Sequence, residues 1–243
     1  MDSSYDPSAI ADGITHSEYL VADCMMTRHV VARHFLRDCR TILDVGGYQT
    51  PIHLFLEGGF DKVTVIDPLI KPYEGTHSSG GAIRHVRGLL DEHDPTDRPD
   101  GLLFLGTPPP QVLCDAGNRE VLAKWILRSR VAIVEFPNEL YELKMGFVEL
   151  IRDLELIVDT RINFDFTHNQ LPASSSPYKP FLKRSLFVLR PLGADDRHPQ
   201  PNTEHWVNVI LGEINVRERM KYRWFPRAYA LYGKLRQALR RGV

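Results

Sequence analysis

The feature that most constrains the fold is a change of rhythm at residue 41. Thr41-Ile42-Leu43-Asp44-Val45 is a short apolar run closed by Gly46-Gly47, which reads as a buried parallel strand entering a turn. The alternation it starts recurs downstream. Lys62 to Ile66 reads as a second strand ending at Asp67-Pro68, and Ala82 to Val86 as a third. Leu102 to Leu105 follows the turn signal Arg98-Pro99-Asp100-Gly101 as a fourth, and Val131 to Phe136 is a fifth. Leu156 to Phe166 forms a long sixth and Ser185 to Leu189 a seventh. Pro51 to Gly58, Arg119 to Leu127 and Leu140 to Leu154 carry helical patterns between them. Strands alternating with helices predict an α/β fold: a doubly wound, mostly parallel seven-stranded sheet with helices on both faces. Thr167 to Arg184 is too polar and proline-rich for a crossover helix. The last strand is therefore expected to run antiparallel to its neighbour, joined to it by a long loop of a kind often functional.

The ends are helical additions. Residues 1–15 read as a loose arm, and His16 to Asp38 carries apolar residues at helical spacing, as a capping helix would. The α/β domain spans 16–192. Residues 193–243 comprise a breaker-rich linker, a helix from about Glu204 to Glu218 and a basic tail. With 243 residues, 43% of them hydrophobic, the chain can bury one substantial core. Cys24, Cys39 and Cys114 are scattered, without metal-ligand spacing, which argues against a disulfide framework or structural zinc and fits a reducing cytoplasm. The polar N-terminus does not read as a signal peptide. No stretch approaches the roughly 20 apolar residues of a membrane span.

In open α/β sheets, ligands bind beyond the carboxyl ends of the strands, where strand order reverses. Gly46-Gly47 offers a turn that lets backbone approach a ligand. Asp67, about twenty residues on, ends the second strand, where a carboxylate can accept both hydroxyls of a ribose. Together these read as a site for a nucleoside-type cofactor. The dinucleotide fingerprint GxGxxG is not met, because Gly46-Gly47-Tyr48-Gln49-Thr50-Pro51 lacks its later glycines. Asp44-Val45-Gly46 instead resembles the start of the D/E-x-G-x-G-x-G pattern of class I S-adenosylmethionine-dependent methyltransferases, with Tyr48 and Thr50 in place of the later glycines. An antiparallel last strand resembles the same family, and the likeness covers about residues 16–192.

That resemblance implies S-adenosyl-L-methionine as cofactor. Asp44 and Gly46 would line its methionine end and Asp67 would bind its ribose, with Gly47 and Pro68 as neighbouring cofactor-site residues and Tyr48 placed either to stack on the cofactor or to block it. Leu90 and Asp91, in Leu89-Leu90-Asp91-Glu92, would meet the adenine, and Gly106 and Thr107 would flank the sulfonium. His168 is the candidate base for a hydroxyl acceptor, with Asp165 to orient it; His16 and His53 are its rivals. Glu135, Asn138, Glu139 and Asp165 are candidate oxygen ligands for magnesium. The loop Ser174-Ser175-Ser176-Pro177-Tyr178-Lys179-Pro180-Phe181 suits a polar acceptor, with a sugar hydroxyl the leading expectation. Arg217 to Val243 holds nine Lys/Arg against one acid, Glu218, and is expected to pack on the domain or contact an anionic membrane. A net charge of −1, with cations concentrated in that tail, argues against a nucleic-acid substrate. Two other readings remain: a methyltransferase-like protein that binds without catalysis, and a nicotinamide-dependent oxidoreductase.

Overall fold

The computed structural model describes residues 19–47, 50–93, 98–105, 112–138, 141–165, 183–192 and 201–214. In chain order they form α1 (Tyr19–Leu36), β1 (Thr41–Val45), β2 (Lys62–Asp67), β3 (Tyr73–Thr76), β4 (Ala82–Arg87) and β5 (Gly101–Phe104). Then come α2 (Ala116–Arg128), β6 (Val131–Pro137), α3 (Tyr141–Arg152), β7 (Leu156–Asp165), β8 (Lys183–Pro191) and α4 (Thr203–Glu213). One sheet joins all the strands in the order β3-β4-β2-β1-β5-β6-β8-β7. Neighbours from β4 through β6 are parallel, and β8 is antiparallel to both β6 and β7. The doubly wound, mostly parallel sheet with an antiparallel end is the predicted fold.

The strand count differs from the prediction by one. Tyr73–Thr76 is an eighth strand, antiparallel to β4 at the far edge. Its four residues, Tyr-Glu-Gly-Thr, are largely exposed and so carry no apolar periodicity. Gly75 leaves room there for the Tyr73 ring, whose hydroxyl lies where a Cβ would stand. The helix expected from Pro51 to Gly58 is only a 3-10 turn, Ile52–Phe55. Its apolar residues serve as a plug rather than a helix face, since Ile52 is fully buried.

Two apolar layers flank the sheet. On one face α2, α3 and α4 pack over β5, β6 and β8. Phe136, Phe147 and Phe187 form an aromatic cluster there with centroids 4.4–5.6 Å apart. The other face is covered by α1, through Ala32 and Leu36, and by the Ile52–Phe55 turn. Asp115 caps α2 by accepting from the Asn118 amide at 2.9 Å. At α4, Thr203 Oγ1 donates to the Leu156 carbonyl at 3.0 Å and Asn202 Oδ1 accepts from the Val158 amide at 2.7 Å, pinning the helix start to β7. Arg161 on β7 holds its other end by pairing with Glu213, and its guanidinium lies 5.4 Å from the Phe187 ring centroid.

The halves of the sheet are covered unequally. Along β2, Val63 and Val65 are buried while Lys62 and Thr64 are half-buried. Along β4, Ile83 and His85 are buried while Arg84 is exposed. The described part of the β4–β5 connection holds only a 3-10 turn, Leu90–Glu92. No helix among the described residues covers the second face of β2 and β4. Nor is any described helix long and apolar enough to cross a membrane.

Candidate cofactor and acceptor site

Strand order reverses at β1, which pairs with β2 on one side and β5 on the other. The crevice beyond its carboxyl end is where a doubly wound sheet binds ligands. Asp44, next to last in β1, faces the α1 side, since Leu43 and Val45 belong to the opposite core layer. It is 1% exposed, and its Oδ2 accepts from the Ile52 amide at 2.7 Å. Burial pushes its carboxyl up from the ordinary 3.8 to about 7; the Ile52 hydrogen bond opposes the rise, Asp67 adds to it and Arg28 opposes it. Asp44 thus titrates near neutrality.

Gly46 and Gly47 have separate jobs. Gly46 sits at φ +81°, a conformation glycine adopts without cost, and its amide donates to the Ile66 carbonyl at 2.8 Å, extending the β1–β2 ladder. At Gly47 a Cβ would lie 2.5 Å from Asp44 Oδ2 and 2.9 Å from Val65 Cγ1. Gly47 is thus held to glycine by the Asp44 carboxylate and Val65, which occupy the space a side chain would take.

Asp67 ends β2 at the same edge and is 8% exposed. Its Oδ1 accepts from the Leu69 amide at 2.7 Å, which fixes the carboxylate at the strand end. Pro68 is exposed and its carbonyl accepts from Arg87 Nε at 3.2 Å. Leu90 packs against the core layer of α2 and α3, whereas Asp91 on the same 3-10 turn is exposed. Tyr48, Gly106, Thr107 and His168 lie outside the described residues, as do His16, Glu139 and the loop 166–182. Asp165 is the last residue of β7, paired in register with Lys183.

Beside Asp44 the structure assembles a charge cluster that the sequence reading missed. Glu135 on β6 is fully buried. Its Oε2 accepts from Arg28 Nη1 of α1 at 3.0 Å and from Arg184 Nη2 of β8 at 2.9 Å, and Arg184 Nε bonds Oε1. Burial and the Arg28 charge lower the Arg184 pKa to about 9, which leaves its guanidinium charged at neutral pH. The magnesium reading of Glu135 is corrected by this geometry, because both its carboxylate oxygens are held by arginines. No cluster of three metal-ligating side chains occurs among the described residues. The signal lay in Val131-Ala132-Ile133-Val134-Glu135-Phe136: a carboxylate inside a buried strand demands an opposite charge.

His53 does not serve the active edge either. It is 3% exposed, and its Nε2 lies 3.0 Å from Nε2 of His85 on β4. Burial, then the neighbouring histidines, drives its pKa down to about 3, and burial lowers that of His85. The His53 ring is engaged with His85 in the interior.

The fold and this edge define a doubly wound α/β protein with two carboxylates at its topological switch. No protein family matches the chain, and no curated protein does. Among solved structures it is similar to NodS, an N-methyltransferase from Bradyrhizobium japonicum WM9, with 12% identity over 70% of this chain and 97% of that one and a TM-score of 0.48. The methyltransferase domain of bacterial CtHen1-C is 12% identical over 69% and 98%, with a TM-score of 0.46. The 16S rRNA methyltransferase RmtF, in complex with S-adenosyl-L-homocysteine, is 15% identical over 76% and 73%, with a TM-score of 0.43. These are distant likenesses of chain trace, and they fix no residue correspondence.

Proposed function

We propose that the chain is an S-adenosylmethionine-dependent methyltransferase. The observation that carries this reading is the pairing of Asp44 and Asp67 at the carboxyl ends of adjacent strands, β1 and β2, beside the strand-order reversal. The donor set fits the cofactor: Asp67 suits the ribose hydroxyls, Asp44 the cationic methionine end, and exposed Asp91 the adenine side. When bound, the cofactor supplies an electrophilic methyl group on a sulfonium. The chain's own part is to hold an acceptor in line with that methyl and to keep water out, and positioning of this kind carries much of a displacement's rate. Arg28 and Arg184 serve indirectly, tying α1, β6 and β8 into one rigid wall beside Asp44.

The finer reading is O-methylation of a small polar acceptor, a sugar hydroxyl first, with His168 as base and Asp165 orienting it. It rests on the polar loop 174–181 and on the position of His168 just after β7. A net charge of −1 does not exclude nucleic acid, because β2 and β4 carry Lys62 and Arg84 on one face; RNA therefore joins saccharides in the acceptor panel.

The test is calorimetric titration with S-adenosylmethionine and S-adenosylhomocysteine, with NAD as control. Micromolar binding that Asp67→Ala loses supports the reading, while binding of NAD alone sinks it. With an acceptor found, unchanged turnover in His168→Ala would remove His168 as base.

A further inference from the structure

The Ile52–Phe55 turn touches two buried groups of opposite charge type. Ile52 is fully buried, and its amide donates to Asp44 Oδ2 of β1 at 2.7 Å. The next residue, His53, is 3% exposed and sets its Nε2 3.0 Å from Nε2 of His85 on β4, with the two rings stacked at 5.2 Å. One short turn therefore links the candidate edge on one side to a histidine pair on the other. Burial favours the neutral form of both groups, but from opposite directions: a carboxyl becomes neutral by binding a proton, an imidazole by losing one.

The groups packed around the turn do not reverse either tendency. Beyond burial, His85 and His77 of the β3–β4 turn both disfavour a charge on His53, and no described carboxylate offsets them. Tyr73 of β3 lies against the His85 ring at 5.2 Å. From α1, His29 stacks on Phe55 at 4.6 Å, and Arg33 donates to the Phe55 carbonyl at 3.2 Å while pairing with Glu57. Burial dominates at Asp44, where Asp67 of β2 and Arg28 of α1 act on the charge in opposite senses.

Opening of the turn brings water to both groups. His53 then titrates near 6.5 rather than about 3, so the open form takes up a proton as pH falls. That favours opening by about 25-fold between about pH 7 and 5. Asp44 then titrates near 3.8 rather than about 7, so here the closed form takes up the proton. That disfavours opening by about 50-fold over the same interval.

We propose that the Ile52–Phe55 turn is a pH-balanced latch on the Asp44 edge, in which the carboxyl of β1 and the histidine of the turn offset each other's protonation. The edge thereby keeps one geometry from neutral to mildly acid conditions. The latch belongs to the ligand-free chain and does not depend on the cofactor reading. Substituting either group alone exposes the pH dependence of the other, in opposite directions.

The test is amide hydrogen exchange of the full chain, read by NMR and normalised to the intrinsic rate at each pH. The Ile52 and Leu56 amides report on the turn, the latter donating to the His53 carbonyl at 3.4 Å, and the Val134 amide on central strand β6 reports on global unfolding. In the wild type, protection of the turn should stay within about fivefold between about pH 5 and 7. In Asp44→Asn, whose side chain does not ionise, it should fall at least about tenfold as pH drops across that range. In His53→Gln, which keeps a polar group toward His85, it should rise at least about tenfold instead. A smaller shift in either variant overturns the proposal, as does a shift of both in the same direction. So does a larger wild-type change, or turn protection that moves only in step with Val134, which would make the turn part of the global transition rather than a latch.

Discussion

Replacing Asp44 by asparagine should stabilise the protein increasingly as pH rises. The carboxyl titrates near 7 in the fold against an ordinary 3.8, so between those values the folded chain binds a proton that the unfolded chain has released. The contribution of this group is fully present below about 3.8 and is lost as pH rises through about 7. Each pH unit in that window is worth about 1.4 kcal/mol. From about pH 5.5 to 7 the loss is therefore about 2 kcal/mol, and above 7 it levels off. Asparagine has the same shape, keeps an oxygen to accept from the Ile52 amide and does not ionise. The stability difference, Asp44→Asn minus wild type, should grow by about 2 kcal/mol between about pH 5.5 and 8.5. Urea unfolding of both proteins across that range measures it, and the subtraction cancels every other titrating group. Curves parallel to within about 0.5 kcal/mol would refute the argument, showing that Arg28 keeps Asp44 ionised throughout.

The other predictions probe the buried polar row beneath α1. Glu135→Gln leaves the Arg28 and Arg184 guanidiniums facing each other in the interior, and should cost about 3–5 kcal/mol in denaturant unfolding; a cost below about 1 kcal/mol would mean that water reaches the cluster. His53 and His85 are held neutral by burial, with His53 near 3 against an ordinary 6.5. Their contribution is present above about 6.5 and falls with acid, by about 2 kcal/mol for His53 alone at about pH 5. His53→Gln should flatten that slope in thermal unfolding, and an unchanged slope would place the acid sensitivity elsewhere. Gly47→Ala drives a methyl into Asp44 Oδ2 and Val65 and should cost about 1–3 kcal/mol; a silent substitution would show that Asp44 can swing away.

The parallel core of the fold was legible because its strands are short apolar runs ended by glycine, proline or aspartate. Edge strand β3 was not, since neither of its faces is buried and no period of two results. The Pro51–Gly58 segment misled because one buried turn has the same apolar content as a helix, and only length separates them. Asp44 and Asp67 could be found from their positions at strand ends. The partners of Glu135 could not, because Arg28 and Arg184 lie 107 and 49 residues away and only topology brings them together. Lys62 and Thr64, alternating with Val63 and Val65, carried a signal against the expected cover on both faces that the sequence reading did not use, since a strand buried on both sides carries no such polar positions.

That alternation bears on how the sheet divides its labour. From β5 to β7 the connections include α2 and α3, and aromatic packing fills the layer between these helices and the sheet. From β1 to β4 they include a hairpin and 3-10 turns, so less apolar surface is available to bury there. Polar contacts take its place: the His53–His85 pair, the Asp44–Ile52 bond, and the Arg28 contact that ties α1 across to Glu135. Such contacts contribute less than packed hydrocarbon unless every group is satisfied, and they leave this half of the sheet nearer to local opening. Both carboxylates of the candidate edge belong to this half. Ligands that bind the folded state alone stabilise it by mass action, so an occupied edge would add to β1 and β2 the cohesion that the 3-10 turns of the described connections do not.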